Sequence, residues 1–323
     1  MEGQENNIQE KSEILFLYDS NYSIPNGDPF TGEQRYDEET KKILVSDVRI
    51  KRFIRDYLEN QKEEDVYVSN KTERGQTDAK AMIKWIAQNR NKEEITDVAK
   101  LLTKQIDVRL FGGISTLKKN DLTKAGPKET NLKNGHVQFT GPVQFSLLNP
   151  SLNKVNLRMH QNTSHFTSSE DKEQGAIGTT TVVPYAMNQI HGWINPKVAQ
   201  ETGLNNNDLN KMFEALWYGT SGDGSSHSRS KIGQNSVLLL QVVYSKPNQK
   251  IYGLDKLIKP IGKNGKKDEQ WRNIDDFDLD LERLFEKINT DKVREVRFFT
   301  EIPEIEEKLT ENDKFKKLNF AKE

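Results

Sequence analysis

A chain of 323 residues has room for one large domain or two small ones, and its 33% apolar and 30% charged residues imply a modest core with large solvated or partner-covered surfaces. A formal net charge of −1 excludes a global field that would recruit nucleic acid, so any such binding must use local patches. The absence of cysteine excludes disulfides, thiol catalysis and cysteine-ligated zinc or iron–sulfur centres.

The opening MEGQENNIQEKSE is polar and has no apolar stretch of the kind a signal peptide needs. No apolar run approaches the roughly 20 residues of a membrane helix. A cytoplasmic location without membrane contact is therefore expected. Residues 14–18 (ILFLY) form a short continuous apolar run, as in a central strand. The following DSNYSIPNGDPFTGEQRYDEETKK reads as a long loop with turn signals at Asn26-Gly27 and Asp28-Pro29.

Residues 41–58 (KKILVSDVRIKRFIRDYL) carry the clearest helical pattern. Ser46 is a good N-cap, and Ile50, Phe53, Ile54, Tyr57 and Leu58 recur at helical spacing. The other face carries Arg49, Lys51, Arg52 and Arg55, a one-signed surface in a nearly neutral chain. Taken alone, such cations are more often simply solvated. A helix start also offers unpaired N–H groups and the positive end of the macrodipole, which together suit a phosphate.

Residues 60–135 read as a partly helical insertion. Met82, Ile83 and Ile86 have helical spacing, as do Ile95, Val98, Leu101 and Leu102, and Gly112-Gly113 stops or turns the chain. Strand character returns at 136–148 (HVQFTGPVQFSLL), interrupted at Gly141-Pro142. A polar insertion covers 149–181, followed by a strand at 181–194 and an amphipathic helix at 206–218. A glycine- and serine-rich loop ends in SRSK, and 237–244 (VLLLQVVY) is the longest apolar strand. Lysine-rich turns, a helix near 278–288, a strand near 293–302 and a charged tail complete the chain. With insertions set aside, the order β-α-β-β-α-β points to an α+β ferredoxin-like or RNA-recognition-motif core.

Candidate chemistry is sparse. None of the five histidines lies in a metalloprotease or deaminase motif, and none has a serine elbow nearby. His160 and His165 could at most form a weak metal pair. The loop acids Asp19, Asp28, Asp37, Glu38 and Glu39 could hold magnesium, although acidic loops are usually just solvated. GTSGDGSSHSRSK lacks the phosphate-loop pattern and follows a helix, which excludes a nucleoside-triphosphate site there but leaves Arg229 and Lys231 free to reach a backbone phosphate. No metal or cofactor is called for. Lys118, Lys119, Lys124, Lys128 and the lysines at 259–267 add separate basic patches, which is all that sequence-independent phosphate contact needs. Met159 and Phe166, among small hydroxyl residues, could stack on or wedge between bases.

The blocks ILFLYDSNYSIPNGDP, SDVRIKRFIRDYL, DVRLFGG, GPVQFSLLNPSLNKV, VVPYAMNQIHGWIN, ALWYGT, SRSK and VLLLQVVYS resemble the CRISPR-associated Cas-seven family, nearest its type I-B branch and also similar to I-C. The resemblance covers about residues 13–245. It implies a non-catalytic backbone subunit of a Cascade complex that binds guide RNA (crRNA) and stacks head to tail with further copies. The other implied partners are a Cas-five-like cap, a large subunit and target DNA reached through the guide. The implied division is a modified palm at 13–59, 136–151 and 182–302, a helical fingers insertion at 60–135, a thumb hairpin at 152–181 and a charged tail at 303–323. Ser46, Arg49, Lys51, Arg52, Arg55, Arg229 and Lys231 would hold phosphates, and Met159 and Phe166 would meet bases. Type III relatives cleave RNA with an aspartate in the loop after the first strand; Asp28 lies in the comparable loop, so a metal-dependent ribonuclease is the alternative reading.

Overall fold

In the computed structural model, residues 8–69, 78–118, 132–163, 177–221 and 229–320 are described. The molecule is a mixed α+β protein built on a seven-stranded sheet. Its centre is β1 (Ser12–Ser23), where Ile14, Leu15, Phe16, Leu17 and Tyr18 are all fully buried. An unbroken apolar run of this kind, rather than alternation, requires cover on both faces. Ile14, Phe16 and Tyr18 face one apolar cluster, and Leu15 and Leu17 face another.

The chain leaves β1 through a loop and the short strands β2 (Tyr36–Asp37) and β3 (Lys42–Ser46) and enters helix α1 (Asp47–Asn60). A separate lobe follows, with α2 (Ala79–Asn89), α3 (Val98–Thr103) and α4 (Ile106–Phe111), then the paired strands β4 (Gly112–Thr116) and β5 (His136–Thr140). It has its own core around Met82, Ile83, Ile86, Leu101 and Leu102. The chain rejoins the main sheet at β6 (Val143–Phe145), crosses β7 (Leu148–Pro150) and β8 (Arg158–Thr163), and returns along the long β9 (Ile177–Ile194). Helices α5 (Pro196–Thr202) and α6 (Asn206–Thr220) lead into β10 (Gln234–Tyr244). Strand β1 lies between β10 and β9, antiparallel to both, and β6 borders β9.

Residues 136–148 therefore divide at Gly141-Pro142 between two sheets: β5 belongs with the lobe and β6 with the main sheet. The crossing is tight. A Cβ at Gly141 would sit 2.1 Å from the Phe111 carbonyl carbon, and Gly112 has φ +79° with Phe139 O 2.3 Å from its would-be Cβ. Only glycine fits where these two backbones meet.

Helix α1 lays Ile50, Phe53, Ile54, Tyr57 and Leu58 on the sheet, and α6 lays Leu209, Met212, Phe213, Leu216 and Trp217 beside them. Each such fully buried side chain contributes about 1.5–3 kcal/mol. The opposite face is covered by the C-terminal part. That cover comes from the hairpin of β11 (Lys259–Gly262) and β12 (Phe277–Asp280), helix α7 (Glu282–Ile288) and helix α8 (Pro303–Thr310), while β13 (Val293–Phe299) and β14 (Phe315–Lys317) extend the main sheet beyond β10. The stretch from 303 to 320, read from sequence as a charged tail, is folded. Ile305, Leu309 and Phe315 are buried, and β14 runs parallel to β13. Its charges face out, which is why composition alone hides its apolar side. No helix among the described residues is long and apolar enough to cross a membrane.

Two ion pairs tie the lobe to the helical layer, both from α4. Asp107, fully buried, accepts from Arg55 Nε at 2.8 Å and from the amides of Tyr67 and Val68 at 2.7 and 3.1 Å. Two residues on, Arg109 makes a two-pronged pair with Asp208 of α6 at 2.7 and 2.8 Å. Breaking such a pair leaves an uncompensated buried charge. Asp107→Ala is expected to cost about 3–5 kcal/mol in urea unfolding, whereas Lys51→Ala, which removes the Asp47 pair at 3.2 Å, should stay within about 1 kcal/mol.

Candidate nucleic-acid interface

Helix α1 begins as its sequence predicts. Ser46 is the N-cap, and its Oγ accepts from Arg49 N at 3.3 Å. The cap is wired to the loop after β1. Ser46 N donates to Asn26 Oδ1 at 2.7 Å, and Asn26 N donates to Gln34 Oε1 at 2.9 Å. Asn26 and Gln34 are both buried, so this loop is a fixed part of the helix entrance. The expected phosphate nest at the helix start is largely occupied by the protein itself. Asp47 N donates to Leu147 O at 3.2 Å, Arg49 N is taken by the cap, and Asp47 adds a negative charge to the first turn. An anion at this helix start would have to be held by side chains.

Those side chains divide into two edges. Lys51 and Arg55 lie over the Phe111 ring, at 5.6 and 5.3 Å, and pair with Asp47 and Asp107. This edge is turned to the lobe, and Arg55 is a tether rather than an open cation. The second edge carries Arg49, whose guanidinium stacks 4.0 Å from the Phe53 ring, and Arg52, which donates to Val68 O at 3.2 Å and pairs with Asp56. Partial burial pulls the Arg49 guanidinium below its ordinary value, with Tyr18 and Asp56 opposing and Arg52 adding to that shift.

Lys231 joins the second edge from another part of the chain. It lies in the short helical turn Arg229–Lys231 just before β10, anchored where Ile24 N donates to Ser230 O and Asn21 N to Gly233 O, both at 2.7 Å. Its side chain is buried and donates to Ile24 O. Burial, with Arg49 nearby, brings its pKa from lysine's ordinary 10.5 down to about 7. The structure thus brings Arg49, Arg52 and Lys231 together at the end of β1. The backbone of Arg229 is part of the same turn; its side chain is outside the described residues.

The other candidates lie apart. Met159 is 75% exposed on β8, which pairs with the first half of β9, while Phe166 lies outside the described residues. Strand β9 thus starts earlier than expected and carries the hairpin that the polar composition of 149–181 conceals. Asp28 caps Phe30 N at 2.9 Å and pairs with Arg35 at 3.2 Å. His165 lies outside the described residues, and among those described no three potential ligands gather to hold a metal ion. Of the scattered lysines, Lys263 pairs with Asp278 at 3.0 Å and Lys266 with Asp276 at 2.5 Å; Lys119, Lys124 and Lys128 fall outside the described residues. Sequence reasoning missed Asn26 and Gln34, whose only signal was a polar pair in a loop otherwise rich in turn residues.

Comparison with known proteins places these features in context. The sequence matches the model of the family described as CRISPR-associated protein Cas7 over residues 10–282. It is 29% identical over 290 residues to a CRISPR-associated protein Cas7 of Haloferax volcanii, covering 86% of this chain and 82% of the relative. In fold it is similar to a chain of a CRISPR RNA-guided surveillance complex, pre-nicking, with a TM-score of 0.53, 14% identity and 96% of each chain covered.

The buried Lys231 has a pH signature. Between about pH 7 and 10.5 the unfolded chain holds this proton and the folded one does not, so stability rises with pH across that window, and the burial penalty is greatest below it. Lys231→Met removes the titration. The stability of the wild type relative to Lys231→Met should therefore increase steadily from pH 7 to 10 in urea melts. A difference that stays flat over that range would mean that the ammonium is solvated.

Proposed function

Because this chain belongs to the CRISPR-associated protein Cas7 family, we propose that it is the guide-RNA-binding backbone subunit of a type I-B-like Cascade complex. The observation that carries this reading is the group Arg49, Arg52 and Lys231 near the end of the central strand, where Arg49 lies beside both other cations and Asp56 pairs with Arg52. Cations held close to one another repel, and a polyanion threading between them relieves that repulsion.

The order β10-β1-β9-β6, with α1 and α6 crossing one face, supports reading the core as a ferredoxin-like palm of the RNA-recognition-motif kind. The lobe from α2 to β5 would be the fingers, and the β8–β9 hairpin the thumb. Copies would stack head to tail, since a heterologous contact that does not close on itself generates a helical filament. A Cas-five-like cap and a large subunit would complete the cytoplasmic complex.

In this mechanism the chain performs no bond chemistry. Arg49 and Arg52 would hold guide phosphates from the half-buried second edge of α1, a phosphate there competing with Asp56 for Arg52, with Lys231 and Arg229 as further phosphate contacts. Phosphate contacts set the register of the strand and read no sequence. Base pairing with the guide then reads target DNA. Lys51 and Arg55 act behind the site by fixing α1 against Phe111 and Asp107. Met159 on β8, and Phe166 in the segment that follows it in sequence, would displace a base at intervals. A phosphate beside Lys231 favours the charged amine, so binding near pH 8 should draw a proton from solution.

Protein expressed beside its CRISPR array should retain guide RNA on purification; nucleic-acid-free protein under those conditions speaks against the reading. Arg49→Ala and Arg52→Ala should each flatten the log-affinity against log-salt slope for single-stranded RNA by about 0.7. Proton uptake, measured by calorimetry at pH 8 in two buffers of different ionisation enthalpy, should vanish in Lys231→Met.

A further inference from the structure

A groove opens at the exit of β1, next to the cation cluster and on the side of the β8–β9 hairpin. It is a cavity of about 260 Å3 whose described walls include Tyr22, Ile24, His160, Thr180, Val182 and Ser230. Tyr22 is the residue that ordinary packing does not explain. Its neighbours Asn21 and Ser23 pair with Tyr185 and Val183 of β9, while Tyr22 itself takes no place in that register. Its φ is +45°, a left-handed conformation that bulky side chains rarely adopt, and it is 63% exposed. A large aromatic held open on a strained backbone has neither burial nor local propensity to account for it. Strain of this kind persists where the surroundings enforce it, and it clusters at ligand clamps.

The other wall fits the same use. His160 lies opposite Thr180 across the β8–β9 ladder, so imidazole and hydroxyl share one face of the hairpin. Met159, next to His160 on the strand, belongs to the opposite face. The cation cluster abuts the groove: Lys231 donates to the carbonyl of Ile24, two residues from Tyr22 and so at most about 7 Å along the backbone. An open aromatic ring, polar walls and cations at one end match a single-stranded nucleotide, with the ring for its base and the cations for its phosphate.

We propose that Tyr22 stacks one base of the bound RNA strand in the groove between the end of β1 and the β8–β9 hairpin, with His160 lining the same slot. The inference rests on the guide-RNA reading and adds a base contact to its phosphate contacts. Tyr22→Gly separates function from folding, because glycine takes a positive φ without steric cost. The probe is single-stranded RNA carrying 2-aminopurine at successive positions, bound to the full-length protein.

Wild type should quench the fluorophore at defined positions. Tyr22→Gly should lose that quenching and bind about ten-fold more weakly. Its salt slope should be unchanged, since no phosphate contact is lost. Its urea midpoint should equal or exceed that of the wild type. Tyr22→Phe should retain quenching and affinity, and Tyr22→Leu should lose both, which keeps the test decisive if the glycine variant folds poorly. Wild-type RNA binding with Tyr22→Gly or Tyr22→Leu at undiminished affinity and quenching would overturn the stacking role alone. Failure of the wild type to bind RNA would overturn the guide-RNA reading and the slot with it.

Discussion

The orientation of α1 depends on the pair of opposite charges that α4 presents two residues apart. Asp107 takes Arg55 of α1, and Arg109 takes Asp208 of α6. Both acids are almost wholly buried, so each interaction acts in a medium where an unpaired charge would be severely penalised. One short helix thus holds both helices of the layer. Because Arg55 is drawn inward, the rotation of α1 about its axis is set, and Arg49 and Arg52 lie on the other edge, against Phe53 and Asp56.

The charge arrangement also shows how unequally cations are treated within a chain of net charge −1. Several cations among the described residues are matched locally: Lys51 by Asp47, Arg52 by Asp56, Arg55 by Asp107, Lys263 by Asp278. Lys231 differs. It is desolvated and faces another cation, so its charged form is costly until an anion arrives.

Much of the local structure was legible. The cap at Ser46, the apolar stripes of α1 and α6, and the continuous apolar runs of β1 and β10 were all readable from spacing. Each reflects interactions within a turn or two, or burial on both faces of a strand. What was not legible involved partners distant in sequence or faces hidden by composition. Residues 136–140 looked like the main sheet because alternation cannot say which sheet a strand joins. Residues 303–320 looked like a solvated tail because their charges outnumber the apolar residues that anchor them, Ile305, Leu309, Phe315, Leu318 and Phe320. The loop acids looked like candidate ligands, but Asp28 caps a turn and pairs with Arg35.

The sequence by itself determined the central apolar strands β1 and β10, the apolar stripes of α1 and α6, and the presence of a basic helix, because periodicity, continuous burial and capping are local properties. It also carried the family blocks. Tertiary structure alone decided which cations are open and which are committed. The Arg55–Asp107 and Arg109–Asp208 pairs span 52 and 99 residues, and Lys231 acquires its depressed pKa only when folding removes it from water beside Arg49. Charge is written in the residue, but its cost and its availability are set by solvent exposure and neighbours, and those exist only in three dimensions.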